Sequence, residues 1–105
     1  MYKVIETETY RKELRKWSKA DIEAAKKISQ KLAINPFVGD PLSYPFLREE
    51  RVKKKRIYFL VYGDLKLVLV VATSGKDDQQ STINYLKNNL GEFKILAEHI
   101  SKRLF

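Results

Sequence analysis

The chain has 105 residues, room for one small domain and not for two. It carries 21 Lys and Arg against 13 Asp and Glu, a net charge of +8, and no cysteine. That excludes a disulfide framework, thiol chemistry and cysteine-held metal or iron–sulfur sites. The longest uncharged apolar run, Leu67 to Ala72, is far short of the ~20 residues of a membrane span.

The N-terminus, Met1 to Glu6, turns acidic where a secretory signal would continue apolar, so a cytoplasmic protein without membrane contact is expected. Val4 and Ile5 give residues 2–6 the content of a short strand. From Thr9 the period changes: Tyr10, Leu14 and Trp17 fall on one stripe of an amphipathic helix. Ser18 opens a second helix, with Asp21 three residues on to complete its first turn. Ile22, Ala25, Ile28 and Leu32 form its apolar stripe, and Asn35-Pro36 stops it. The pair reads as a helical hairpin with a basic outer face.

Residues 36–46 hold all three prolines and Gly39, which predicts an ordered loop. Leu47–Val52 reads as a polar strand near a sheet edge. Arg56–Tyr62 is rich in β-branched and aromatic residues and predicts a strand. Gly63-Asp64 follows as a tight reversal in which the glycine supplies positive φ. Leu65–Thr73 is apolar on both faces and predicts the central, doubly covered strand. Ser74–Asp78 breaks it and caps a helix carrying Ile83, Leu86 and Leu90. After Gly91 a last amphipathic helix carries Phe93, Leu96, Ala97, Ile100 and Leu104.

The basic excess is concentrated. Between Arg48 and Arg56 stand six basic residues (Arg48, Arg51, Lys53, Lys54, Lys55 and Arg56) against Glu49 and Glu50. A small basic domain with such a run suits phosphate-bearing partners. On a strand, Arg56, Tyr58, Leu60 and Tyr62 share one face, and Ile57, Phe59 and Val61 point into the core beneath the helices. The first face is expected to be exposed, with a guanidinium fork for phosphate and a tyrosine stacking surface for bases. In the alternative, the tyrosines line a cross-strand ladder and Arg56 pairs with Glu49 or Glu50. Gly75-Lys76 is not a phosphate-binding P-loop, since Val70 and Asp77 stand where glycine and Ser/Thr are required. His99, the single histidine, falls beside the polar face of the last helix. Asp77 and Asp78 read as helix-capping residues, so no metal site is expected.

The order of elements, the arginine-led strand Arg56–Tyr62, the apolar strand after it and the closing Ser74-Gly75-Lys76 together resemble the RelE/ParE toxin superfamily over about Tyr2 to Asn89. Gly39–Leu42 with Phe46–Arg48 resembles the family's loop into its second strand. The resemblance implies a single α+β domain over 1–105. An antiparallel sheet of about four strands would pack on the N-terminal helical hairpin, with further C-terminal helices and 91–105 as an extension. For the RelE branch it implies a metal-independent endoribonuclease, without cofactor, that cleaves ribosome-bound mRNA. There the 2′-hydroxyl attacks the adjacent phosphate under preorganised positive charge. By position, the resemblance assigns catalytic roles to Arg56, Arg51, Lys76 and Tyr85, and RNA contacts to Arg48, Lys53, Lys54, Lys55 and Tyr58. Asp77 departs from the basic residue often found there, and Tyr85 lies about two residues late. The expected partners are a cognate antitoxin with an acidic binding segment, the ribosome and mRNA. Two alternatives stay open: a ParE-like poison of DNA gyrase, and a basic nucleic-acid-binding module without catalysis.

Overall fold

A computed structural model describes residues Met1–Leu104. The elements run β1 (Lys3–Glu6), α1 (Glu8–Leu14), α2 (Lys19–Ile34), β2 (Asp40–Leu42), β3 (Tyr44–Val52), β4 (Lys55–Tyr62), β5 (Leu67–Ser74), α3 (Gln79–Asn88) and α4 (Leu90–Leu104). Phe105, the last residue of the expected extension, lies outside the described residues. Both N-terminal helices start on hydroxyl caps. Thr7 Oγ1 accepts from the Tyr10 amide, and Ser18 Oγ accepts from the Asp21 amide at 3.2 Å. α1 ends at Leu14, so Trp17 sits in the turn to α2. None of the described helices is long and apolar enough to cross a membrane.

The sheet has five strands in the order β1-β5-β4-β3-β2, antiparallel except that β1 runs parallel to β5. The fifth strand, β2, lies within the segment expected to be loop, and β3 begins three residues before Leu47. Proline obscures both: Pro41 sits on the edge strand and Pro45 near the start of β3, where a missing N–H costs no ladder bond. Gly39, at φ +74, makes the entry to β2 possible, since a Cβ there would collide with the Glu49 carbonyl oxygen.

β4, not β5, is the middle strand. β5 is inner, and Leu67–Ala72 is buried throughout, so its apolar character on both faces is accounted for. In the β4–β5 reversal the left-handed residue is Lys66 (φ 51), not Gly63, and the strand starts at Leu67.

Two apolar layers flank the sheet. On one face Ile57, Phe59, Val61, Val68 and Val70 pack against Tyr10, Ala25 and Leu32 of the α1–α2 hairpin, as expected. On the other, Tyr58, Leu60, Leu67 and Leu69 pack against Ile83, Leu86 and Ala97 of α3 and α4. The expectation that the Arg56/Tyr58 face is exposed therefore fails. Tyr58 is fully buried and Arg56 is 8% exposed. The cause is tertiary: the apolar stripes of the C-terminal helices need a surface, and this face of β4 is the one left. A β-bulge helps them. Tyr58 pairs with Ala72 and Phe59 with Val70, so Val71 is unpaired and both Val71 and Ala72 join this layer.

Candidate functional site

Strand register assembles the site. Arg51 pairs with Arg56, and Arg56 with Ser74, so the three stand in one row across β3, β4 and β5 at the open end of the sheet. Directly opposed residues on neighbouring strands have Cβ atoms about 5 Å apart, and like charges so placed repel. The next row inward is Glu49, Tyr58 and Ala72 on the same face.

The inner members form a buried polar network. Glu49 Oε1 lies 3.9 Å from Arg56 Nε, and both Glu49 oxygens accept from Gln79 Nε2 of α3, at 3.1 and 3.3 Å. Ser74 Oγ donates to the Gly75 carbonyl at 2.9 Å, so the Tyr58 hydroxyl is the donor in its 2.7 Å bond to Ser74 Oγ. Burial holds the Tyr58 phenol above its ordinary range, which keeps it a hydroxyl rather than a phenolate at neutral pH. The guanidinium is poorly satisfied: Nε has no hydrogen bond, and Nη1 reaches only the Lys54 carbonyl, at 3.5 Å. A buried cation so weakly bonded gains when an anion approaches.

Around this inner arginine the outer cations divide. Arg51, Lys54 and Lys76 are exposed: Arg51 ends the row, Lys54 lies in the β3–β4 turn, and Lys76 follows Gly75 as the chain leaves β5. Lys53 and Lys55 are drawn instead to α2, where Asp21 holds them at 3.2 and 3.0 Å, and Lys55 also lies over the Trp17 ring. These bonds hold the Asp21 carboxyl below its usual range. Arg48 faces away from the row. Its guanidinium donates to the Val38 and Pro45 carbonyls, both at 2.9 Å, and to those of Gly39 and Phe37 at 3.2 and 3.4 Å. It organises the 37–45 segment.

Tyr85, 59% exposed on α3, lines a groove whose walls include none of Arg51, Arg56 and Ser74. Asp78 does not cap α3 with its side chain. It turns back to accept the Gly75 amide at 2.8 Å, closing the turn that presents Lys76. His99 is exposed.

Sequence reading missed Ser74 and Gln79 as members of the network, and weighed Glu49 only as a possible partner of Arg56. Glu49 was legible by parity, two residues from Arg51 and so on its face. Gln79 carried no such signal, since its role depends on where α3 lands.

No family model and no curated protein sequence matches the chain. Solved structures do. The isolated E. coli RelE toxin superposes with a TM-score of 0.64 at 17% identity, over 82% of this chain and 100% of that one. A chain of the intact E. coli RelBE toxin–antitoxin complex gives 0.64 at 19% identity, over 71% and 96%. The RelBE2 toxin–antitoxin complex of Mycobacterium tuberculosis gives 0.63 at 22%, over 71% and 98%. With five strands in this order between two helical layers, the chain has the fold of the RelE toxins.

Proposed function

We propose that the chain is the toxin of a toxin–antitoxin pair, acting in the cytoplasm as a RelE-like endoribonuclease on ribosome-bound mRNA. The observation that carries this reading is the Arg51–Arg56 pair, two arginines directly opposed on one face of the sheet beside the Gly75-Lys76 turn. Like charges across a ladder destabilise the free protein, so their placement makes sense where a phosphate sits between them. A phosphodiester laid over the row meets Arg56 from behind and Arg51, Lys54 and Lys76 at the rim. Positive charge fixed before the reaction then stabilises the pentacoordinate phosphate as the neighbouring 2′-hydroxyl attacks. Arg56 is the inner electrostatic residue in this reading, with Arg51 and Lys76 as the outer ones. Tyr58 serves as a positioning residue through Ser74. The antitoxin supplies an acidic segment to the basic surface.

The test is primer extension on an mRNA under translation in vitro, with Arg51→Ala and Lys76→Ala as variants, because both side chains are exposed and their loss is expected to leave the fold intact. Ribosome-dependent ends that fall about 10²-fold or more in the double variant support the reading. An intact transcript at full translation refutes it.

Two observations favour a second reading. Glu49 already neutralises Arg56, and Asp77 adds an acid beside Lys76, both of which weaken a phosphate site. A ParE-like toxin needs no such site, and would inhibit supercoiling by gyrase while leaving mRNA whole. A binder without catalysis would do neither.

A further inference from the structure

A groove of about 740 Å³ lies between the β1–β5 edge of the sheet, the start of α1, and α3 with α4. Ile5, Val71 and Ala72 form one apolar side, and Phe93, Leu96 and Ile100 of α4 the other. The α4 stripe is wider than its contact with the sheet: Ala97 is fully buried, while Leu96 remains 40% exposed. A concave apolar surface of this size is of the kind that receives a ligand or a partner segment.

Its electrostatics run against the rest of the molecule. Glu6, Glu8 and Glu13 line it, and no lysine or arginine does, in a chain with 21 of them. Glu6 accepts from Ser29 and meets Arg11 at 3.8 Å, and Glu8 meets Lys12 at 3.3 Å. The Glu8 pair is exposed and worth little, and the Glu6 pair is long with Glu6 half-buried, so a competing cation reaches Glu8 more easily than Glu6. Glu13 has no ion pair among the described residues; its Oε1 takes the Thr73 amide at 2.8 Å and the Thr73 hydroxyl at 3.3 Å.

We infer that this groove docks a cationic amphipathic segment of a protein partner, with apolar side chains against Ile5, Val71 and Leu96 and lysines or arginines against Glu6, Glu8 and Glu13. The sign of the rim repels nucleic acid and acidic peptides, and a second copy of a +8 chain meets long-range repulsion. An acidic antitoxin segment therefore takes the basic surface and leaves this groove to a second protein partner that presents a cationic segment. The inference stands on the groove alone, whatever the chain does to mRNA.

The experiment titrates the intact chain into two labelled amphipathic peptides of about 15 residues, long enough to become helical on binding. One carries leucine and lysine, the other leucine and glutamate, and fluorescence anisotropy reads the binding. Net charge alone favours the glutamate peptide; the groove favours the lysine one. Tighter binding of the lysine peptide is expected, weakened ~tenfold by Glu6→Gln with Glu8→Gln, and at least as much by the uncharged Leu96→Asn. Lys27→Gln, on the outer face of α2, changes nothing. Circular dichroism checks that each variant is folded. Preference for the glutamate peptide, or indifference to the rim variants, overturns the proposal. So does self-association in sedimentation that Leu96→Asn abolishes, since the occupant would then be a second copy.

Discussion

Replacing Arg56 with alanine tests whether the inner arginine is a structural member of the sheet as well as a functional one. The change leaves Glu49, 3% exposed, without its cation and still holding Gln79. Breaking a buried pair from one side costs ~3–5 kcal/mol, because the remaining charge is uncompensated. At 3.9 Å, with no hydrogen bond from Nε, the pair belongs at the lower end, about 3 kcal/mol. A chain of this size is stable by roughly 5–15 kcal/mol, so the loss is a large fraction of the whole. It corresponds to a fall in Tm of about 10–25 °C.

Arg51→Ala, its exposed neighbour across the ladder, is expected within ~0.5 kcal/mol of the parent. Adding Glu49→Gln to Arg56→Met should recover most of the loss, since glutamine still accepts from Gln79 and no charge stays buried alone. Urea unfolding followed by circular dichroism of the parent, Glu49→Gln, Arg56→Met and the double variant gives the four corners of the cycle. A coupling of at least about 1.5 kcal/mol is expected. Arg56→Ala within about 1 kcal/mol of the parent, or strictly additive effects, would refute the buried-pair argument. The outcome also governs any activity assay: a dead Arg56→Ala protein reports on catalysis only after its folding has been shown.

Three further outcomes follow from particular contacts. The lysines around Asp21 depress its carboxyl pKa in the fold, so its contribution is present above the unfolded value of about 3.9 and is lost as pH falls through the folded one. The urea midpoint should therefore drop on acidification below about pH 4, and less so in Asp21→Asn. Gly39→Ala combines a left-handed residue with a backbone collision at Glu49, and should cost about 2 kcal/mol or more, read as a lowered thermal midpoint. Burial raises the phenol pKa of Tyr58 and Tyr10 above the ordinary range and pushes that of Tyr62 up to about 12. Spectrophotometric titration should show these three of the six tyrosines ionising late. Stability should fall as pH rises past about 10, where the unfolded phenols ionise first.

The residues made most elements legible through local signals. Ser18 and Asp21 mark the start of α2, the apolar stripes mark the helices, and the composition of Arg56–Tyr62 marks β4. The parts that were not legible depend on tertiary placement. Nothing local distinguishes an exposed Arg56/Tyr58 face from one covered by α3 and α4, because tyrosine and arginine serve either setting. β2 was hidden because an edge strand of three residues tolerates proline, the residue that argues against a strand elsewhere. The bulge at Val71 also lies beyond an alternation rule, since it shifts register partway along an apolar strand.

The basic run from Arg48 to Arg56 shows why composition overstates the phosphate-binding surface. Strand alternation and two hairpins sort six neighbouring cations into different environments: Arg48 into loop carbonyls, Lys53 and Lys55 onto Asp21, Arg51 and Arg56 into the row, and Lys54 into the exposed turn beside it. With Lys76 added, three exposed cations and one buried one remain to meet a single-stranded RNA. Each neutralised phosphate contributes about −0.7 to the slope of log K against log salt, so a slope of roughly −2 to −3 is expected. Had all six residues and Lys76 engaged the strand, the slope would be roughly −5. Binding of a labelled oligoribonucleotide over a range of potassium chloride measures it directly. The shallow slope should lessen by one charge in Arg51→Ala and stay unchanged in Lys53→Gln. A slope near the steep value, reduced by Lys53→Gln, would mean that RNA draws Lys53 and Lys55 off Asp21. The partition of cations by the two faces of the sheet would then fail in the bound state.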